Sequence, residues 1–325
     1  MALTDPFRPS LLLKGAFLQT LLASSRLRTY GKNEMQAAAK QEVLRCNNSV
    51  RLQGAVSTPV NSRSKAMVIL LHGWEGSMNS TYVLRTGKYL FNRGYTIYRI
   101  NLRDHGQSHH LNEGLFFATL LDEVFEAVSL AVTRVPDQPV FLVGFSLGGN
   151  FALRIARQIG RTPIGRLHHI VAISPVLDPS KATDCIDGNP FLQYYFLRKW
   201  LHSLKKKQSL FAPKYDFTSV LNIGNVRKIT EILIPQYTDF KNADEYFKGY
   251  SFTRSDLREV PIPTTIITAK DDPVIPVSDF YGLQTNSRTR LVIHPHGGHN
   301  GFIESMLLSC WYERKLCELF DQLAA

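Results

Sequence analysis

Apolar runs of five or six residues recur along this 325-residue chain, most of them followed by a segment with helical periodicity. The runs at 66–71, 96–101, 140–144, 169–174 and 264–269 are rich in Val, Ile and Thr and largely lack polar alternation. A strand reads that way when both of its faces are buried, which calls for a mostly parallel sheet covered by helices on each side. The intervening periodicity predicts helices near 81–93, 120–134 and 147–159. A last short strand is expected at 291–293, and an amphipathic closing helix at 305–323. Ahead of the first interior strand, 42–45 and 50–57 flank Asn47-Asn48 and predict an edge hairpin.

Residues 1–40 carry few strand signals and form a leader, with 37–40 expected to be helical. Residues 180–260 break the strand–helix rhythm: they are aromatic-rich, contain Pro190, Pro213 and Pro235, and predict two helices. This divides the chain into a leader, a core at 41–179 and 261–325, and a helical cap inserted at 180–260. In the cap, Leu197, Trp200, Leu201 and Leu204 share one helical face. Arg198, Lys199, His202, Lys205 and Lys206 occupy the other.

Composition excludes several classes. Apolar residues are 44% and charged residues 20%, the balance of an ordinary globular protein rather than a disordered or fibrous one. No apolar stretch approaches the length of a membrane helix. The opening residues offer Asp5 where an export signal wants a basic region, and Lys14 interrupts the apolar stretch that follows. Cys46, Cys185, Cys310 and Cys317 form no C-x-x-C pair, which suits a reduced compartment. The expectation is a soluble cytoplasmic protein. The net charge of +11 favours anionic partners in general. No zinc-finger spacing, basic zipper or aromatic RNA-binding signature accompanies it, so no nucleic-acid partner is expected. The one tight basic run, Lys205-Lys206-Lys207, offers a weak contact to an anionic membrane surface.

The chemistry concentrates at strand ends. The 140–144 strand runs into Gly144-Phe145-Ser146-Leu147-Gly148, a G-x-S-x-G turn between a buried strand and a helix. Such a turn lifts Ser146 clear of the sheet at a helix N-terminus, where developing negative charge is favoured. Serine is a weak nucleophile without a base, and the base needs an orienting acid. Strand 264–269 empties into Lys270-Asp271-Asp272-Pro273, and strand 291–293 into His294-Pro295-His296-Gly297-Gly298-His299. Asp272 is preferred over Asp271 because Pro276 completes a D-x-x-x-P loop. His299 is preferred over His294 and His296 because Gly297-Gly298 permits a close approach. The three histidines also invite a metal reading, but no further ligand stands at motif spacing, so no metal is expected.

With these residues placed, the chain resembles an α/β-hydrolase, specifically the YheT-type branch. The resemblance rests on Leu71-His72-Gly73-Trp74-Glu75-Gly76-Ser77-Met78-Asn79-Ser80, Gly144-Phe145-Ser146-Leu147-Gly148-Gly149-Asn150, Ala269-Lys270-Asp271-Asp272-Pro273 and His296-Gly297-Gly298-His299-Asn300-Gly301-Phe302. The leader, from Phe7-Arg8-Pro9 to Phe17-Leu18-Gln19-Thr20-Leu21, is similar to that branch as well. One departure is Phe17, where the branch usually has histidine. The resemblance implies an oxyanion hole formed by the backbone N–H groups of Trp74 and Leu147. It gives His105, in Arg103-Asp104-His105-Gly106-Gln107-Ser108, a structural role. The implied activity is hydrolysis of short-chain carboxylic esters or monoacylglycerols through a Ser146–His299–Asp272 triad, without a cofactor. Acyl transfer by the same residues and a non-catalytic binder of a small apolar ligand are the alternatives. The H-x-x-x-x-D pattern of acyltransferase relatives is absent from the sequence.

Overall fold

In the computed structural model, which describes residues 5–59, 64–135 and 137–324, the apolar runs become the interior strands of one sheet. Two helices precede it, α1 (Ala16–Ser24) and α2 (Glu34–Ala37). The hairpin β1 (Lys40–Arg45) and β2 (Arg51–Ser57) follows, then β3 (Met67–Leu71), α3 (Thr81–Phe91), β4 (Thr96–Ile100) and α4 (Leu121–Val132). After these come β5 (Val140–Phe145), α5 (Leu147–Gln158) and β6 (Leu167–Ile173). Four helices, α6 (Pro179–Asp187), α7 (Pro190–Leu210), α8 (Val226–Tyr237) and α9 (Ala243–Lys248), separate β6 from β7 (Thr264–Ala269). The chain closes with β8 (Thr289–His294) and α10 (Trp311–Ala324).

The eight strands lie in the order β1-β2-β4-β3-β5-β6-β7-β8. β1 and β2 pair antiparallel, as do β2 and β4, and every later pairing is parallel. Every residue of β3, β4 and β5 is buried. Alternate side chains feed two cores: Met67, Ile69 and Leu71 pack with α4 and α5, and Ala66, Val68 and Leu70 with α3 and α10. The result is an α/β-hydrolase sheet. The chain leaves β3 for β4 on one side, then returns to β5 on the other. The strand order therefore reverses beside β3, and a crevice opens at the C-terminal ends of β3 and β5, where such sheets bind ligands.

Several expectations need correction. The leader helix ends at Ala37, and Lys40 begins β1 opposite Val56. Asn33 caps the helix early by accepting the Gln36 N–H, and strand pairing then claims the residues that follow. The closing helix starts at Trp311, not Ser305, because 303–311 form a tight turn: Glu304 N–H donates to Ser309 O, Trp311 N–H donates to Phe302 O, and Leu308 has φ +58°. The segment expected to hold two helices holds four. Each is announced by an N-cap whose side chain accepts a first-turn N–H, namely Asp178, Asn189, Asn225 and Asn242. Pro179 and Pro190 stand just inside two of them, where the missing N–H costs nothing.

Candidate active site

The turn after β5 is built from forced choices. A Cβ on Gly144 would lie 2.1 Å from Gly148 O, and one on Gly148 would lie 2.5 Å from the carbonyls of both Leu71 and His72. No side chain survives at either position. Between them Ser146 takes φ +54°, a region that costs a non-glycine residue energy and that the surrounding turn imposes. Leu147 is the first residue of α5, so its N–H lacks an acceptor within the helix.

Two further strand ends deliver the partners. His299 Nε2 lies 2.9 Å from Ser146 Oγ, and His299 Nδ1 lies 2.9 Å from Asp272 Oδ2. A carboxylate only accepts, so Nδ1 carries the proton and Nε2 accepts from the serine hydroxyl. Asp272 is held in turn by the N–H groups of Val274 (2.8 Å) and Ile275 (3.0 Å), both to Oδ1. Asp271 faces elsewhere: it accepts the Gly298 N–H at 2.9 Å and stands 3.4 Å from His296 Nδ1. The two adjacent carboxylates thus divide the work, one at the imidazole and one at the loop carrying it. The three histidines separate likewise. His294 is buried among Phe7, Phe302 and Trp311, where burial lowers its pKa to about 4. His296 is partly exposed beside Asp271.

The turn after β3 completes this cluster. His72 Nε2 accepts the Leu102 N–H at 3.1 Å, so Nδ1 donates to Gly73 O at 2.8 Å. Burial keeps this ring neutral, with a pKa well below the usual value. Gly73 packs against the nucleophile, since a Cβ there would stand 3.0 Å from Ser146 Cβ. Trp74 follows directly, stacked on Phe196 (5.4 Å) and edge-on to Trp200 (5.3 Å), both on α7. Glu75 has φ +53°, and burial raises its carboxyl to about 8 against the opposing charge of Lys199. His105 lies buried against His72 and Phe116, its pKa lowered by burial to about 4.

Ser146 stands between two spaces of different character. On one side is an apolar cavity of about 120 Å³ between the sheet and α6–α9, lined by Trp74, Leu147, Phe116, Trp200, Leu233 and Tyr250 among others. On the other is a broad open groove of about 1550 Å³ that also reaches His299. The α7 helix roofs the cavity with Phe196, Trp200 and Leu204, whereas Leu201, expected on the same face as Trp200 and Leu204, lines the open groove. The basic run on α7 is not uniform, however. Lys207 is only 1% exposed and donates to Asp104 Oδ1 (2.8 Å) and to the carbonyls of Asn112 (2.7 Å) and Gly114 (2.9 Å). Three acceptors within reach of one flexible stem draw it inward, so it is an internal tie and no part of a basic surface. Burial pulls Lys207 and Asp104 toward their neutral forms, and their mutual contact opposes this. Asp104 Oδ2 accepts the N–H of Phe116, so the same carboxylate fixes α7 and one cavity wall.

A family model described as "Serine aminopeptidase, S33" (Hydrolase_4) matches residues 62–306. The chain belongs to this α/β-hydrolase family. The chain is 24% identical over 271 residues to mouse (Mus musculus) "Phospholipase ABHD3", covering 81% of this chain and 65% of that protein. It is 24% identical to the "Monoacylglycerol lipase" of Saccharomyces cerevisiae, covering 78% of this chain and 58% of the yeast protein. It is also 24% identical to the Escherichia coli "Putative esterase YheT", covering 79% and 77%. The chain thus spans less than two thirds of the length of the mouse and yeast relatives. The Pyrococcus furiosus esterase Pf2001 shares the fold at TM-score 0.55 and 17% identity, over 87% of this chain and 90% of that one.

The leader of the chain reaches the site, which spacing alone did not reveal. Thr20 Oγ1, on α1, accepts the backbone N–H of His299 at 2.9 Å and donates to Ala16 O at 2.8 Å. Gln19 is fully buried and spans the same loop, donating to Leu13 O (2.6 Å) and Ile303 O (2.9 Å) and accepting the Ile303 N–H (2.7 Å). Gly298 and Gly301 allow this contact, since a Cβ would lie 2.4 Å from Ala16 O and 2.7 Å from Gln19 O respectively. Farther along, buried Arg28 joins Glu313 (3.1 Å) and Cys310 (2.7 Å). The signal was present in the Leu-Gln-Thr segment, but its partners are some 280 residues away. Phe17, the departure from the branch, lines the same open groove as Ser146 and His299. It packs at 5.4 Å on Phe191 of α7, along the open groove.

Proposed function

We propose that this hydrolase cleaves carboxylic esters with short acyl chains, of the small-ester or monoacylglycerol type, through an acyl-enzyme. The observation that carries the reading is the relay Ser146–His299–Asp272, with both contacts at 2.9 Å, opening on a small apolar cavity. Ser146 Oγ attacks the ester carbonyl while His299 Nε2 takes its proton. Asp272 holds the ring and stabilises the imidazolium. The tetrahedral oxyanion is met by the Trp74 and Leu147 N–H groups. His299 then gives the proton to the departing alkoxide, releasing an alcohol into the open groove. Water, deprotonated by His299, attacks the acyl-serine, releases the acid and restores the serine.

The cavity sets the acyl length. An apolar cavity of ~150 Å³ admits a benzene ring, so 120 Å³ accommodates a short acyl chain rather than a long one. The names of the relatives, an esterase, a monoacylglycerol lipase and a phospholipase, support ester-bond cleavage. A fluorophosphonate probe and a graded panel of esters test the reading. Wild type should label at Ser146 and turn over short esters. Ser146→Ala should fold, fail to label and lose roughly 10⁴–10⁶ in kcat. A folded wild type that neither labels nor hydrolyses any ester would leave a binder. Acyl transfer would show as ester product when alcohols are added.

A further inference from the structure

The open groove leading to Ser146 has an apolar rim. Exposed apolar side chains stand along it: Phe17 (41% exposed) and Leu21 (59%) on α1, and Phe191 (71%), Tyr194 (67%) and Tyr195 on α7. Phe17 and Phe191 join the two helices into one strip. Beyond the groove the leader continues the same character with Leu27, 75% exposed. Monomeric proteins rarely leave a contiguous apolar face of this kind uncovered unless something docks on it.

Cations are interleaved with the strip. Among the described residues, Arg26, Arg198, Lys199, Lys205 and Lys206 line the groove against only Glu75 and Asp104. Asp104 is already neutralised by buried Lys207, and Glu75 is held largely protonated near neutrality by its burial. Arg26, Arg198 and Lys205 are exposed and make no ion pair among the described residues. Apolar anchors mixed with unpaired cations are what an interfacial surface needs, one set entering the acyl boundary and the other meeting anionic headgroups. A second copy of this chain is a poorer occupant. A two-fold contact sets the same patch against itself and would bring these cations together.

We infer that this face, α1 and the α7 rim together, docks on an anionic lipid surface and presents the groove mouth to it. The inference rests on the proposed esterase reading for its purpose, since a short-acyl ester held in a membrane by a lipid alcohol portion would then reach Ser146 without crossing water. The site is not the triple-lysine run as such. Lys207 points inward, and its loss would disturb the fold rather than the docking.

The test is co-sedimentation of the full chain with vesicles of phosphatidylcholine alone or mixed with phosphatidylglycerol. It uses the Ser146→Ala protein, so that binding is read without turnover. Binding is expected to the mixed vesicles only, falling as salt rises. Each cation near such a surface is worth about 1 kcal/mol, or roughly fivefold, so Arg198→Gln with Lys205→Gln should weaken it about 25-fold. Phe191→Ser with Tyr194→Ser should weaken it at least tenfold at every salt concentration, with an unchanged melting curve. Equal binding to both vesicles, no binding, or binding indifferent to either double variant overturns the inference. So does a concentration-dependent dimer that Phe191→Ser with Tyr194→Ser dissolves, which would make the face a contact between copies. Docking intact in a wild type that cleaves no ester would instead sink the esterase reading.

Discussion

Thr20→Val removes the hydroxyl behind the proposed base while keeping a branched side chain of nearly the same shape. The wild-type oxygen accepts the His299 N–H at 2.9 Å and donates to Ala16 O at 2.8 Å. His299 is 7% exposed, so the freed N–H finds little water. A buried donor left unpaired costs about 1–3 kcal/mol. The loop can recover part of that only by moving the backbone that carries the imidazole. A displacement of about 1 Å at a reacting group costs on the order of 10²-fold in rate. The expected result for Thr20→Val is therefore a fall of ~10–100-fold in kcat on a soluble chromogenic ester. KM should change little, because Thr20 meets neither the acyl cavity nor the oxyanion donors. Thr20→Ser restores the acceptor and should restore kcat. Steady-state kinetics of both variants, with melting curves alongside, decide the matter. If valine and serine give the same kcat, or if the loss lies in KM alone, the reasoning that the leader positions the base fails.

Three further outcomes follow from the geometry. Asp272→Asn should lower kcat by roughly 10³–10⁴, as expected when the ring loses its tautomer. Asp271→Asn should be much milder, since it loosens the Gly298 turn and the His296 contact rather than the imidazole of His299; the opposite ranking in ester kinetics would overturn the division of labour between the two carboxylates. Glu75 has its carboxyl raised to about 8 by burial, so it is neutral near pH 7 and gains a negative charge above pH 8, beside the proposed oxyanion donors. That charge opposes the developing oxyanion, so kcat/KM should decline on the alkaline side and Glu75→Gln should flatten the decline; a Glu75→Gln profile that keeps it refutes this. Lys207→Met strands Asp104 in a buried site, a loss of about 3–5 kcal/mol, which urea unfolding would register. Lys207→Met with Asp104→Asn should recover part of that, and a double variant no better than the single would show that the pair is not the tie.

The interior of the sheet was legible because β3, β4 and β5 are buried on both faces, so their sequence is mostly apolar and the helices between them carry the periodicity. The inserted helices were harder to see. Their stripes are diluted by residues that face the cavity and the groove: Phe196 and Trp200 meet Trp74, and Lys207 is apolar only along its stem. The capping residues Asn189, Asn225 and Asn242 would have located them, since a cap depends on local chemistry and not on how the cap domain packs. Lys207 shows the reverse case. In sequence it cannot be told from Lys205 and Lys206, and only the position of the Asn112 and Gly114 carbonyls turns it inward.

The site divides along the same line. Gly144 and Gly148 could be placed in advance because a backbone collision admits one residue type, and such a constraint leaves its mark on sequence. The choice between Asp271 and Asp272 turned on Pro276, a local feature, and the structure puts Asp272 at the imidazole. Thr20 and Gln19 left no comparable mark. A hydroxyl accepting one backbone N–H, and an amide bridging two loops, are needed only once the chain's first forty residues have folded back on its last thirty. That return is itself held by ties that are individually small: Trp311 Nε1 donating to Asp5 O at 3.1 Å, Phe7 packed on Phe302 at 5.6 Å, and Arg28 among Cys310, Glu313 and Leu308. The leader is bound through many such contacts. Its loss would take with it the backbone support of His299 and, at the same time, half of the apolar rim around the groove.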